Sequence, residues 1–328
     1  MRPEPSGFLD NHAAFVEESP APGWIADLRA RGAARFAAAG LPDAGLETWR
    51  YTNLLPATSP YAGAPLSQAD VAYTDPHGLI RPFASVYAEG APDWLQALQA
   101  EEKDQENALW ALCNAYLRDG LMIDVPAGKA FDAPIHITLT GHDGAFFVPR
   151  TAFRLQKGSV LTIIEHHTGR GAYWNNRLTQ IIVEEGARLR HIRFQKNTKS
   201  AVYTQNTDVR VAAGGRYEAF NFVVGAALSR QELRVDLAGP RGRASLTALH
   251  LLGENQCADQ TITVAHNAPD GVSDQDIRSI IAGRARSVFQ GKAYVERGAD
   301  GTDARQMSKA LLLADGAEMD AKPELEIY

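Results

Sequence analysis

The chain has 328 residues, 45% of them apolar, with 33 basic and 39 acidic side chains and a formal net charge of -6. That length allows one large domain or two ordinary ones with a sizeable core, and the acidic balance argues against nucleic acid as the main partner. Two distant cysteines, Cys113 and Cys257, make neither a disulfide framework nor a zinc spacing and suit a reducing compartment.

The amino-terminal MRPEPSGFLDNHAAF lacks an apolar signal core. No apolar run reaches the roughly 18 residues of a membrane span, so a soluble cytoplasmic protein with no membrane partner is expected. In PGWIADLRARGAARFAAAG, Trp24, Ile25, Leu28 and Phe36 recur on a helical period, and Gly40 and Pro42 stop the helix. PFASVYAEG reads as one short strand. PDWLQALQAEEKDQENALWALCNAYLRDG reads as a second helix, opened by Trp94, Leu95 and Leu98 and closed by Leu109, Leu112, Tyr116 and Leu117. Its charged middle, Glu101 to Glu106, is either a break or a solvated face. These elements make a mostly helical domain over residues 1–118.

After Gly120 helical periodicity fades, and residues 119–328 read as a second unit of short strands. Three segments align there: FRLQKGSVLTIIEHH, IIVEEGARLRHIRFQ and VRVAAGGRYEAFNFV. Their central glycines, Gly158, Gly186 and Gly214, are spaced 28 and 28 residues apart. Phe153, Ile181 and Val209 precede them at one offset, and Leu155, Val183 and Val211 at another. Leu161, Leu189 and Tyr217 follow at a third offset, and His166, Phe194 and Phe222 at a fourth. Apolar residues at repeated offsets around a glycine turn describe strand, sharp turn, strand. VDLAGPRGRASLTALHLL looks like a further copy with a longer turn, and MIDVPAGKAFDAPIHITL like an earlier one. QTITVAHNAP, and SVFQGKAYVERG running on to the last residues, supply two more strand pairs. A period in the twenties built of strands fits the stacked rungs of a β-helix, with each offset a buried column. On that reading Phe222→Asp breaks the stack. The alternative is an antiparallel sandwich with coincidental spacing.

Chemistry-bearing residues are few. In the run Glu165-His166-His167, adjacent histidines on a strand face opposite ways and cannot share one ion without a bulge. His166 is read as structural, in the column of Phe194 and Phe222. His250 and His266 are read as local hydrogen-bonding groups, and Cys257 as a lone thiol. Glu184 and Glu185 flank a turn and read as solvated charge. AGPRGR lacks the Lys-Ser/Thr pair of a phosphate loop. No catalytic residue is assigned, and a scaffold or interaction role gains weight.

ETWRYTNL (Glu47–Leu54), the stretch from His266 to Val295, and that from Thr302 to Tyr328 together closely resemble the SufB/SufD family of iron–sulfur cluster assembly proteins. The early E-x-W-R-Y-T favours its SufD branch. The resemblance weakens between about residues 55 and 120. It implies a mainly β fold, a right-handed parallel β-helix behind a smaller helical amino-terminal domain. It also implies a non-catalytic scaffold subunit that pairs with SufB and the SufC ATPase to build and transfer nascent clusters. No cofactor is expected in this chain itself; the iron–sulfur cluster and reduced flavin belong to the full complex.

In the family, KPELEIY is followed by an acidic pair, a Cys-Ser-His-Gly-Ala-Thr motif and ATPase-binding helices, none of which is in this sequence. No metal or catalytic residue therefore carries over; His266 alone matches a motif position, read as core support. Leu325 and Ile327 alternate with Glu324, Glu326 and Tyr328 as in a half-buried strand. The β-helix is accordingly expected to be incomplete at this end, with a homodimer forming through the carboxy-terminal strands. The rival reading is a carbohydrate-active β-helix enzyme such as a polysaccharide lyase, which calls for an export signal and a carboxylate and Arg/Lys cluster that this sequence does not display.

Overall fold

A computed structural model describes residues 7–101 and 107–328. Its strands are β1 (Asp70–Thr74), β2 (Ile80–Pro82), β3 (Gly120–Val125), β4 (Ile135–Gly141), β5 (Phe146–Phe147) and β6 (Arg150–Leu155). There follow β7 (Val160–Gly169), β8 (Trp174–Val183), β9 (Arg188–Gln195), β10 (Val202–Val211), β11 (Arg216–Val224) and β12 (Leu228–Leu237). The last are β13 (Arg243–Leu252), β14 (Cys257–His266), β15 (Val272–Ile281), β16 (Arg286–Val295), β17 (Asp303–Leu312) and β18 (Glu318–Ile327). From β6 onward, successive strands alternate between two sheets. One sheet runs β1-β4-β7-β9-β11-β13-β15-β17, and the other β18-β16-β14-β12-β10-β8-β6-β3-β2. The stacked strands pair in parallel, and among the described residues only β1 with β4 and β2 with β3 are antiparallel. The chain thus coils as a parallel β-helix of about 7 turns.

The expected columns are present. Phe153, Ile181 and Val209 lie in register on β6, β8 and β10, as do Leu155, Val183 and Val211. Leu161, Leu189 and Tyr217 stack across β7, β9 and β11. All nine are buried, each contributing roughly 1.5–3 kcal/mol.

The turn joining the sheets is itself a column. Gly158, Gly186 and Gly214 have φ of 66°, 66° and 63°. The Gly158 N–H donates to the Glu185 carbonyl (2.8 Å), Gly186 to Ala213 (2.9 Å) and Gly214 to Pro240 (2.9 Å). The column continues without glycine through Arg241 (φ 59°) and Asp270 (φ 58°), whose N–H groups donate to Pro269 and Asp300. An L-residue there costs about 1–2 kcal/mol, which the ladder bond helps offset.

One column was assigned to the wrong side. His166, Phe194 and Phe222 stack in register, but they point outward and are half-buried. The pleat decides this: residues three and eight past the glycine have opposite parity, so Leu161 faces in and His166 out.

The helices are α1 (His12–Glu18), α2 (Gly23–Ala39), α3 (Leu55–Thr58), α4 (Phe83–Glu89), α5 (Asp93–Ala100) and α6 (Ala108–Ala115). Gly40 ends α2 at φ 67°, its N–H on the Phe36 carbonyl. At Gly32, where α2 crosses α6, a Cβ would come 2.5 Å from the Ala115 nitrogen. The segment read as a strand, PFASVYAEG, is instead α4. Pro82 opens it, and Phe83 and Val86 sit three apart on a helical face packed with Leu95 and Leu98. The second helix breaks where Glu101 turns extended; the rest of its charged middle, 102–106, lies outside the described residues.

Helix α6 lies on the outer face of the second sheet, its Leu109 and Leu112 clustering with Trp174, Leu178, Val202 and Leu228. The ETWRYTNL segment lies across four strands of the same face. Arg230 of β12 sits 4.2 Å over the Trp49 ring, and Thr52 donates to Asp259 of β14. Gln290 of β16 donates to the Thr48 carbonyl (3.0 Å), and Lys322 of β18 pairs with Glu47 at 2.5 Å. The motif is a strap that ties the amino-terminal region to the late rungs.

Candidate functional site

Near the glycine turns the interior between the sheets is apolar; toward the other ends of the strands it is charged. Odd offsets after the turn face inward, so β7 delivers Glu165 and His167, and β9 delivers His191, Arg193 and Gln195. From the facing sheet come Arg177 of β8 and Tyr203 and Gln205 of β10. All eight are buried.

Arg177 is the hub. Its Nη2 donates to Glu165 Oε1 at 2.5 Å and to Thr151 Oγ1 at 3.2 Å, and its Nη1 donates to His167 Nε2 at 2.8 Å. Accepting there makes His167 a neutral imidazole with its proton on Nδ1. Glu165 Oε2 lies 3.2 Å from His191 Nε2, whose Nδ1 is 3.2 Å from the Tyr217 hydroxyl. The tautomer consistent with both contacts has Nε2–H facing the carboxylate and Nδ1 accepting from Tyr217. Burial alone would raise the Glu165 pKa, but Arg177 and His191 outweigh it and hold the carboxyl well below its usual range. Burial pushes His167 down to about 4 against the opposing pull of Glu165, and lowers His191 as well. Burial raises Tyr217 to about 12.

At neutral pH the cluster is therefore one carboxylate, two guanidinium groups and neutral imidazoles. It can hold a fixed electrostatic pattern and protons at defined atoms. Among the described residues, no group of three or more His, Cys, Asp or Glu is arranged to hold a metal ion. Burial pushes the thiols of both Cys113 and Cys257 up to about 12, keeping them protonated and poor nucleophiles.

The other singled-out residues are dispersed. His250 is buried with Nδ1 3.0 Å from Ser287 Oγ, and His266 is buried with Nε2 2.9 Å from Ser273 Oγ. Glu184 pairs with Arg154 and Glu185 with Lys157 at the turn flank. Arg177, His191 and Arg193 were not singled out from sequence, although the parity of RLRHIRFQ, with Leu189 inward, already places His191 and Arg193 inside.

Residues 137–328 match the model of the SufBD core domain of the SUF system of FeS cluster assembly. Protein ABCI7, chloroplastic, of Arabidopsis thaliana is 28% identical over 236 residues, 68% of this chain and 50% of the relative. The iron-sulfur cluster assembly SufBD family protein slr0076 of Synechocystis is 27% identical over 69% of this chain and 53% of its own length. The iron-sulfur cluster assembly protein SufD of Escherichia coli is 27% identical over 53% of this chain and 42% of its own. The chain spans about half the length of the curated relatives it matches. With the matched core coinciding with the coiled sheets from β4 onward, the chain belongs to the SufB/SufD family of iron–sulfur cluster assembly proteins.

Proposed function

We propose that the protein is a scaffold subunit of the Suf complex, non-catalytic in itself and acting in the cytoplasm. It pairs with a SufB homologue under the action of a SufC ATPase. The iron–sulfur cluster is cargo assembled at the shared interface, and any reduced flavin is a property of the whole complex.

The match of residues 137–328 to the SufBD core domain, coinciding with the coiled sheets from β4 onward, supports this reading most directly. A second reading is self-pairing of two copies.

An affinity tag at the amino terminus, introduced at the chromosomal locus, tests both readings. Purification from the source cells is expected to recover SufB and SufC homologues in near-stoichiometric amounts. Recovery of the tagged protein free of both overturns the Suf-subunit assignment. Recovery of tagged with untagged copies of this chain, and neither homologue, selects self-pairing.

A further inference from the structure

The two outer faces of the coil differ. The outer face of the second sheet lies under α6 and the Glu47–Thr52 strap. On the eight-stranded sheet, the outward side chains from β9 to β17 keep access to solvent. Many are apolar and in register. Phe194, Phe222 and Leu249 form one column on β9, β11 and β13. Val224, Leu251, Ile280 and Leu311 form the next, on β11 to β17, with Ile280 and Leu311 38% and 57% exposed. Ile192 and Phe220 begin a third column on the other side. Together they make a diagonal stripe about 20–25 Å long, matching roughly 15 residues of α-helix.

On β9 to β13 the flank of this stripe is basic; the same column runs on through Val272 to Asp303 on β15 and β17. Arg188, Arg216 and Arg243 stand in register on neighbouring strands, ahead of Ile192 and Phe220. Glu218 pairs with Arg188 at 2.5 Å and with Arg190 at 3.3 Å. Arg216 and Arg243 are exposed and make no ion pair among the described residues. Like charges opposite one another across strands are destabilising. A chain of net charge -6 maintains this ladder beside an exposed apolar stripe, which is the composition of a binding face, not of an inert surface.

We propose that this face docks an amphipathic α-helix from a partner protein, with an acidic edge on that helix. Its apolar side lies along the diagonal stripe, and its carboxylates meet the arginine ladder. The helix seated on the opposite sheet of this same coil shows how a helix fits such a surface, with α6 contributing Leu109 and Leu112 to a face of outward sheet residues.

The test uses two fluorescein-labelled peptides of about 18 residues, each with one Leu/Phe face. One carries a Glu edge and the other a Lys edge. Binding is read by fluorescence anisotropy at low and physiological salt. The Glu-edged peptide is expected to bind at least about tenfold tighter than its Lys-edged counterpart, with the gap narrowing in salt. Phe222→Asp is expected to weaken it about tenfold, and an Arg216→Glu/Arg243→Glu double variant to reverse the preference between peptides. Thermal unfolding confirms that each variant is folded. Equal binding of both peptides, or indifference to these substitutions, overturns the proposal. Self-association abolished by Phe222→Asp would give the face to a second copy, and sedimentation with anionic vesicles lost in the double arginine variant would give it to a membrane surface; either result overturns the helix-docking proposal.

Discussion

The two halves of the interior solve different problems. Beside the glycine turns, Phe153, Ile181 and Val209 repeat the same apolar character rung after rung. Toward the far ends of the strands the charged residues change from rung to rung, although Gln205, Gln231 and Gln260 still repeat in one column. Glu165 stacks on Arg193, then Asn221, Ala248 and Ile277, so the charge fades along the column. Repeated columns supply burial energy but cannot distinguish one rung from the next. A slip by a whole rung would leave Ile181 against an equally apolar neighbour, yet it would leave Glu165 without Arg177. The charged half therefore fixes which rung lies where, the use for which buried ionic groups are best attested. The apolar half supplies most of the stability.

The largest expected effect comes from breaking the charged half. Arg177→Leu strands the buried Glu165 carboxylate and is expected to cost about 3–5 kcal/mol in urea unfolding. Adding Glu165→Leu to that variant should recover more than half of the loss, because the penalty lies in the unpaired charge. If the single variant unfolds within about 1 kcal/mol of wild type, the cluster does not constrain the fold. In the apolar half, Ile181→Ala is expected to cost about 3–4 kcal/mol through lost burial and a residual cavity. No second substitution that neutralises the charged half should rescue it, because the loss is of burial and not of an unpaired charge.

Acid separates the halves again. His167 and His250 occupy one inward column, and burial lowers both to about 4. Unfolded histidine takes its proton near 6.5, so between that pH and about 4 the unfolded chain binds more protons than the native one. Stability is then full above the unfolded value and falls as pH drops through this window, by up to about 3 kcal/mol for each histidine. Glu165, held below its usual range, extends the loss to lower pH in the same direction. The check is a urea midpoint series from neutral to pH 4. His250→Gln is expected to flatten the slope by about one histidine, whereas Ile181→Ala should shift every midpoint and leave the slope unchanged.

How much could be read in advance follows the same division. Phe153, Leu155 and Leu161 were legible because glycine marks the turn and apolar character repeats at fixed offsets. Arg177 was not, because nothing in the local sequence says which of two sheets its neighbours will face, and its carboxylate partner arrives from the opposite wall. The turn at Arg241 was legible only as a copy of altered length, and that at Asp270 was not read, because a hydrogen-bond ladder, not glycine, holds their φ positive. Segment α4 was misread because six or seven residues of mixed apolar and alanine character suit either period; packing against α5 decides it. Where the strap lies was equally unreadable, since Trp49 finds Arg230 across the fold and not along the chain.

The smallest expected effect sharpens the contrast between inside and outside. Phe222 belongs to a register column as regular as that of Ile181, and by periodicity alone Phe222→Asp breaks the stack. The structure places its ring outward and half-buried, between Phe194 and Leu249. An aspartate there keeps its carboxylate in water and loses only cross-strand aromatic contact, which is worth about 0.2–1 kcal/mol. The urea midpoint of Phe222→Asp should therefore sit close to wild type, several-fold less displaced than that of Ile181→Ala. A loss as large as that of Ile181→Ala would mean that this column is covered in the folded protein and that the outward face is part of the core.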